Sequence, residues 1–340
     1  MRLSFLLIAF ILLINNKIYP KEEVVLNTTS SFVVQNDTLV VTYLNAKKYY
    51  DKKEFATSLR IALELLGKNK NLSTSELVRA NQLVANIFFE SRSSINSVKY
   101  YRKTLDYINL YNSQENELRL NKDEKLNLNL IKAESLLSLG SSYYRLYSAN
   151  ETKKFKDSTF YFYNEVDNLF FKENNILQVK SRAYTNLSGI YMNDSIYDKA
   201  KEFALRAIDI HKKLNNKVNQ AAALGNLSSI YLSENNFNEA KKIYFEALDL
   251  IRNIKTSKAL EVREGLYYNL AYNLYKLKDY KAYDYQELSY IIKDSLRDKE
   301  FRKMIAEINA ANNFDLGKEL GAKEEENKRL KEQRTFWVIG

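Results

Sequence analysis

Ala183-Tyr-Thr-Asn-Leu-Ser-Gly-Ile-Tyr191, followed by Tyr197-Asp-Lys-Ala200 and then Ala207, returns 40 residues later. The second copy reads Ala223-Leu-Gly-Asn-Leu-Ser-Ser-Ile-Tyr231, then Phe237-Asn-Glu-Ala240 and Ala247. Asn186 recurs as Asn226, Leu187 as Leu227, Ser188 as Ser228, Tyr191 as Tyr231 and Ala200 as Ala240. A fixed period of 20 to 50 residues is the mark of an architecture that stacks one supersecondary unit on the next. Within each copy the apolar positions fall on a helical period, so the unit is a pair of helices.

The pattern extends outward from this core. A third copy begins near Glu264, with Tyr267, Leu270, Ala271 and Leu274, then Tyr280, Tyr283 and Leu288. There Tyr283 is expected at the position of Ala200. Upstream, Leu136, Leu139, Gly140 and Tyr143 match Tyr184, Leu187, Ser188 and Tyr191. Phe155 then pairs with Tyr197 if about six extra loop residues lie around Tyr147–Lys154. Residues 74–110 give another pair, with Thr74 or Ser75 as helix cap. Leu39, Tyr43, Ala46 and Tyr50, then Phe55, Ser58, Leu59, Ala62 and Leu65, give a first pair ending at Gly67.

These motifs resemble the tetratricopeptide repeat. The resemblance implies an all-α fold, a right-handed superhelix (α-solenoid) of about six helix pairs over 38–293, clearest at 181–213, 221–253 and 264–293. Small residues at Ser188, Ala200, Ala207, Ser228, Ala240, Ala247 and Ala271 would let helices approach. Leu187, Tyr191, Leu227, Tyr231 and Leu270 would fill the space between neighbours. In this family the first helix of each pair lines a concave groove that binds a peptide or protein. Asn186, Asn226 and Asn269 share one position on that helix. As both donors and acceptors they could hold a peptide main chain, or simply face water or cap turns. Arg182, Tyr268 and Tyr272 are further groove candidates. A basic clamp is not evident, because Arg182 has no cationic equivalent at Ala222 or Gly265.

Composition fits this reading. One proline and eight glycines in 340 residues leave few helix breakers. The absence of cysteine removes disulfides and thiolate metal sites, and the single histidine, His211, leaves out most His-based metal and acid–base constellations. No phosphate loop or nucleophile elbow is present. A non-enzymatic protein without metal or cofactor is expected. The net charge of +10 is spread among alternating Lys and Asp/Glu rather than gathered in a block, so nucleic acid is not an expected partner.

The two ends carry the remaining expectations. Residues 1–20 read as a signal peptide, with Arg2 before an apolar run at Leu3–Ile14 that is too short to span a bilayer. Cleavage falls later, near Thr28–Ser31, or the segment stays as a loose anchor. Residues 21–37 read as a disordered lead. Residues 294–335 are dense in balanced charge and read as a long solvated helix or weak coiled coil through which a homodimer could form. Phe336-Trp-Val-Ile-Gly340 after Arg334 reads as the start of a transmembrane helix. This layout resembles the sensor half of membrane-bound signalling proteins of the Bacteroidetes group, in which repeats outside the cytoplasmic membrane connect to a histidine-kinase or DNA-binding output domain. It implies an exported, periplasmic, membrane-attached module with such an output domain as partner. The alternative is a stand-alone periplasmic scaffold for envelope protein assembly.

Overall fold

A computed structural model describes residues 42–67, 72–113, 122–170 and 173–298. The signal peptide, the lead at 21–37, the charged stretch beyond 298 and the apolar end at 336–340 lie outside the described residues. Among the described residues all regular structure is helical. The helices are α1 (Tyr43–Asp51), α2 (Phe55–Gly67), α3 (Thr74–Glu90), α4 (Ser94–Ser113), α5 (Lys122–Asn150), α6 (Lys153–Asp167), α7 (Asn174–Asn193), α8 (Tyr197–Lys213), α9 (Lys217–Ser233), α10 (Phe237–Leu250) and α11 (Ser257–Lys276). A twelfth, α12, occupies 282–298. The chain divides into two compact units, with the break at Asn236.

In the first unit consecutive helices pack as pairs: α1 with α2, α3 with α4, α5 with α6 and α7 with α8. Each even-numbered helix also packs on the odd-numbered helix that follows it. In addition, odd helices touch odd helices: α1 on α3, α3 on α5, α5 on α7 and α7 on α9. One layer is therefore built of odd helices side by side. The apolar core runs through this stack from Ala85 and Tyr101 to Phe203, Ala207 and Ala223. No single pair could bury these side chains alone.

The small residues mark where the two helices of a pair cross. Ser188 Oγ donates to the Ala200 carbonyl at 2.8 Å, between helices whose backbones must come close for that bond. In the first pair the roles are exchanged: Ser58 Oγ on the second helix donates to the Ala46 carbonyl on the first at 2.7 Å. The spacing is twelve residues in both cases. At Gly140 the approach leaves no room for a side chain: a Cβ there would lie 2.5 Å from the Tyr163 ring.

Three local expectations are corrected. The α3 cap is Ser73, not Thr74 or Ser75: Ser73 Oγ accepts from the Glu76 backbone N–H, and Glu76 accepts from that of Ser73, a reciprocal arrangement that Glu three residues on makes available. The extra residues after Tyr143 lengthen α5 to Asn150 instead of forming a loop. The buried set Thr159, Phe162, Tyr163 and Val166 then matches Ala200, Phe203, Ala204 and Ala207, which places Phe155 opposite Ile196 rather than Tyr197.

In the second unit α10 packs on α11. The third repeat is also shifted from its expected register. Residues 280–281 form a turn, so α12 starts later and buries Ser289, with Tyr285 ring against ring with Tyr267 and Phe245. Ala282 thereby takes the small position, and Tyr283 and Tyr280 stand 74% and 87% exposed.

Candidate functional site

The odd-helix layer of the first unit can be aligned by its aromatic ends, Phe88, Tyr143, Tyr191 and Tyr231. Nine residues before each stand Arg79 on α3, Glu134 on α5, Arg182 on α7 and Ala222 on α9. Equivalent positions on neighbouring helices face the same way, so these four form a row across the layer.

The middle two carry the site's strongest electrostatics. Glu134 is half-buried, and Gln82 Nε2 on α3 donates to its Oε2 at 3.1 Å. Burial pushes the Glu134 carboxyl up; the Arg182 charge and the Gln82 bond pull the other way. Arg182 keeps a solvent-exposed side chain, yet the surrounding protein desolvates its guanidinium and pushes it down, against the pull of Glu134. Among the described residues Arg182 makes no hydrogen bond or close ion pair; Glu134 acts on it through space. On α3, Arg79 Nε is sequestered with no hydrogen-bond partner among the described residues.

Behind this row lies a second polar layer, tied to buried tyrosines of the even helices. Tyr101 of α4 donates to Asn86 Oδ1 at 2.7 Å and also hydrogen-bonds Ser138 of the next odd helix. Tyr163 of α6 accepts from Asn186 Nδ2 at 3.0 Å and lies 3.1 Å from Ser141 Oγ. Both phenols are fully buried and pushed up by desolvation, Tyr163 to about 12. At the matching position α8 has Ala204. Asn226 on α9, equivalent to Asn186, thus has no phenol to meet, and its Oδ1 is sequestered without a hydrogen-bond partner among the described residues. So is Oδ1 of Asn219, seven residues earlier and so on the same face of α9.

The three asparagines singled out by the repeat therefore stand in different settings. Asn186 is 9% exposed, with its amide N–H committed to Tyr163. Asn226 is half-buried, with a spare carbonyl. Asn269, in the second unit, is buried. Also in that unit, Tyr268 is 39% exposed and Tyr272 lies half-buried with Lys276 Nζ 5.3 Å from its ring centre. Leu187, Ser188, Ala200, Ala207, Leu227, Ser228, Ala240, Ala247, Leu270 and Ala271 are all buried; Tyr191 and Tyr231 are half-buried, Tyr191 stacked on Phe203. Glu134, Gln82, Tyr163 and Asn219 were not singled out in the sequence. Glu134 was within reach, two residues before Leu136, as Arg182 stands two before Tyr184.

Among the described residues no cluster of His, Asp or Glu could hold a metal ion. No described helix is long and apolar enough to cross a membrane.

Residues 180–253 match the tetratricopeptide repeat family. A comparison with curated proteins gave no match. Solved structures with a similar fold include BtubC (BKLC) from P. vanneervenii, at 15% identity and a TM-score of 0.51, covering 72% of this chain and 90% of that one. The apo form of RapI is similar at 11% identity and a TM-score of 0.52, covering 75% and 74% of the two chains. The fold is an all-α, tetratricopeptide-like arrangement of consecutive helix pairs.

Proposed function

We propose that the chain is a non-enzymatic peptide- or protein-binding module that uses the odd-helix face of its first unit. One observation carries this reading. Asn219 and Asn226 present two carbonyl oxygens on one face of α9, both withdrawn from water and neither hydrogen-bonded within the described residues. Withdrawing such an oxygen from water without a partner costs about 1–3 kcal/mol. Both side chains are half-buried, so each amide can turn its oxygen outward, and a ligand that brings N–H donors then recovers that cost. Seven residues along a helix separate the two by about 10 Å, the length of about three residues of extended peptide. An extended peptide main chain supplies N–H groups whatever its sequence.

The layout of the ends supports a setting for this module: exported by residues 1–20, attached to the cytoplasmic membrane with 336–340 as the start of a transmembrane helix, and acting as the sensory part of a membrane-linked signal-transduction protein. Residues 294–335 would relay ligand binding to the output domain.

The binding reading is tested by pull-down from an envelope extract with wild-type chain and the Asn219→Ala/Asn226→Ala variant. The variant should retain less of the captured peptide or protein; equal capture removes these amides from the account. The setting is tested by cell fractionation. Recovery of the native protein in the cytosol with residues 1–20 intact would overturn it.

A further inference from the structure

The pairing of Glu134 and Arg182 points to the chemistry of the ligand, given the peptide-binding reading above. The two occupy equivalent positions on adjacent odd helices and carry opposite charge, yet they do not form a close ion pair. Gln82 provides the reason: its amide holds Glu134 Oε2 from the α3 side, away from α7. Glu134 is half-buried, while Arg182 stays open to solvent and so to a ligand. A charge without a close counter-ion gains from a ligand group of opposite sign, and more so where it is half-buried. A ligand with one sign of charge would satisfy one residue and repel the other.

We propose that this face selects an extended peptide of mixed charge, with an acidic side chain against Arg182 and a basic side chain against Glu134. The spacing follows from the helices. Packed helices lie about 8–10 Å apart. An extended peptide advances about 3.3 Å per residue. The two charged side chains therefore stand two or three residues apart along the ligand, with their flexible stems making up the difference. α9 offers no third charge, since Ala222 ends the row, and its amides take main chain there. Side-chain selection thus ends at α7 and does not extend to α9.

The test uses the full chain on an array of immobilised decapeptides in an Ala/Ser/Gly background. One set carries a Glu and a Lys one to five residues apart; others carry Glu alone, Lys alone or no charge. Retention on the Glu/Lys set should peak at a spacing of two or three, roughly tenfold above either singly charged set. Arg182→Gln should abolish the advantage conferred by Glu and leave that of Lys; Glu134→Gln should do the reverse. Thermal melts confirm that both variants remain folded. Binding that is indifferent to peptide charge, or to both substitutions, overturns this proposal and leaves the main-chain reading standing. Retention of no decapeptide at all overturns both.

Discussion

Tyr163 of α6 accepts a hydrogen bond from Asn186 of α7 at 3.0 Å, which leaves its own proton for Ser141 of α5 at 3.1 Å. One buried hydroxyl thereby ties three consecutive helices. Asn186 has a structural duty that its repeat partner Asn226 lacks, because α8 carries Ala204 where α6 carries Tyr163. Truncating Asn186 to alanine leaves the buried Tyr163 oxygen without its donor and should cost about 1–3 kcal/mol in urea unfolding. Asn226→Ala removes an oxygen that has no partner among the described residues, so it should be neutral or stabilise by up to about 1–3 kcal/mol. Equal losses would show that the two amides are equivalent after all.

Gly140 gives a prediction of opposite signs in two backgrounds. A methyl group there meets the Tyr163 ring at 2.5 Å, and that ring is fixed by full burial and by its hydroxyl bonds. Gly140→Ala should destabilise by about 1–3 kcal/mol through overpacking. With Tyr163→Leu already in place, the same change should be neutral or stabilise by up to about 1 kcal/mol, since alanine favours helix over glycine. A loss of the same size in both backgrounds would place the strain elsewhere.

Several turns between helices use the left-handed backbone region without glycine. Ser195 sits at φ 60° and Asn235 at φ 61°. For most side chains this conformation costs roughly 1 kcal/mol, whereas asparagine tolerates it through local hydrogen bonding. Ser195→Gly should therefore raise stability by about 0.5–1 kcal/mol, and Asn235→Gly by much less. Differential scanning calorimetry of the two variants separates these outcomes.

Glu134 makes stability depend on pH in a defined direction. Burial raises its carboxyl above the ordinary value, so the folded state holds this proton more tightly than the unfolded state. Its destabilising effect is full above the folded value and is relieved as pH falls through that value toward the unfolded one. Glu134→Gln, which can still accept from Gln82, should be more stable than wild type near neutral pH. The difference should shrink as the pH is lowered toward about 4. A difference that stays constant with pH would mean that the Glu134 carboxyl is not perturbed by folding.

Much of the architecture is legible from particular residues. The 40-residue return of Leu187-Ser188 as Leu227-Ser228 and of Ala200 as Ala240 points to paired helices, because those buried side chains bring two helices together and stack the next pair. Register was harder wherever the chain departs from that period. The residues added after Tyr143 could be a loop or more helix by sequence; continued α5 hydrogen bonding satisfies their backbone, which a loop would leave to water. Tyr283 matched the pattern by spacing, but the turn at 280–281 moves the helix start and hands the small position to Ala282.

The sequence by itself determined the class of fold and the row of positions on which a ligand could be read, because helical period and repeat length are local properties of the chain. It could not distinguish Asn186 from Asn226, which look identical within their own helices. Tertiary structure decided that difference through Tyr163 on one neighbouring helix and Ala204 on another. It likewise decided that Glu134, 48 residues before Arg182, is the charge that faces it. Such pairings depend on which helix lies alongside, and desolvation depends on how much protein surrounds both.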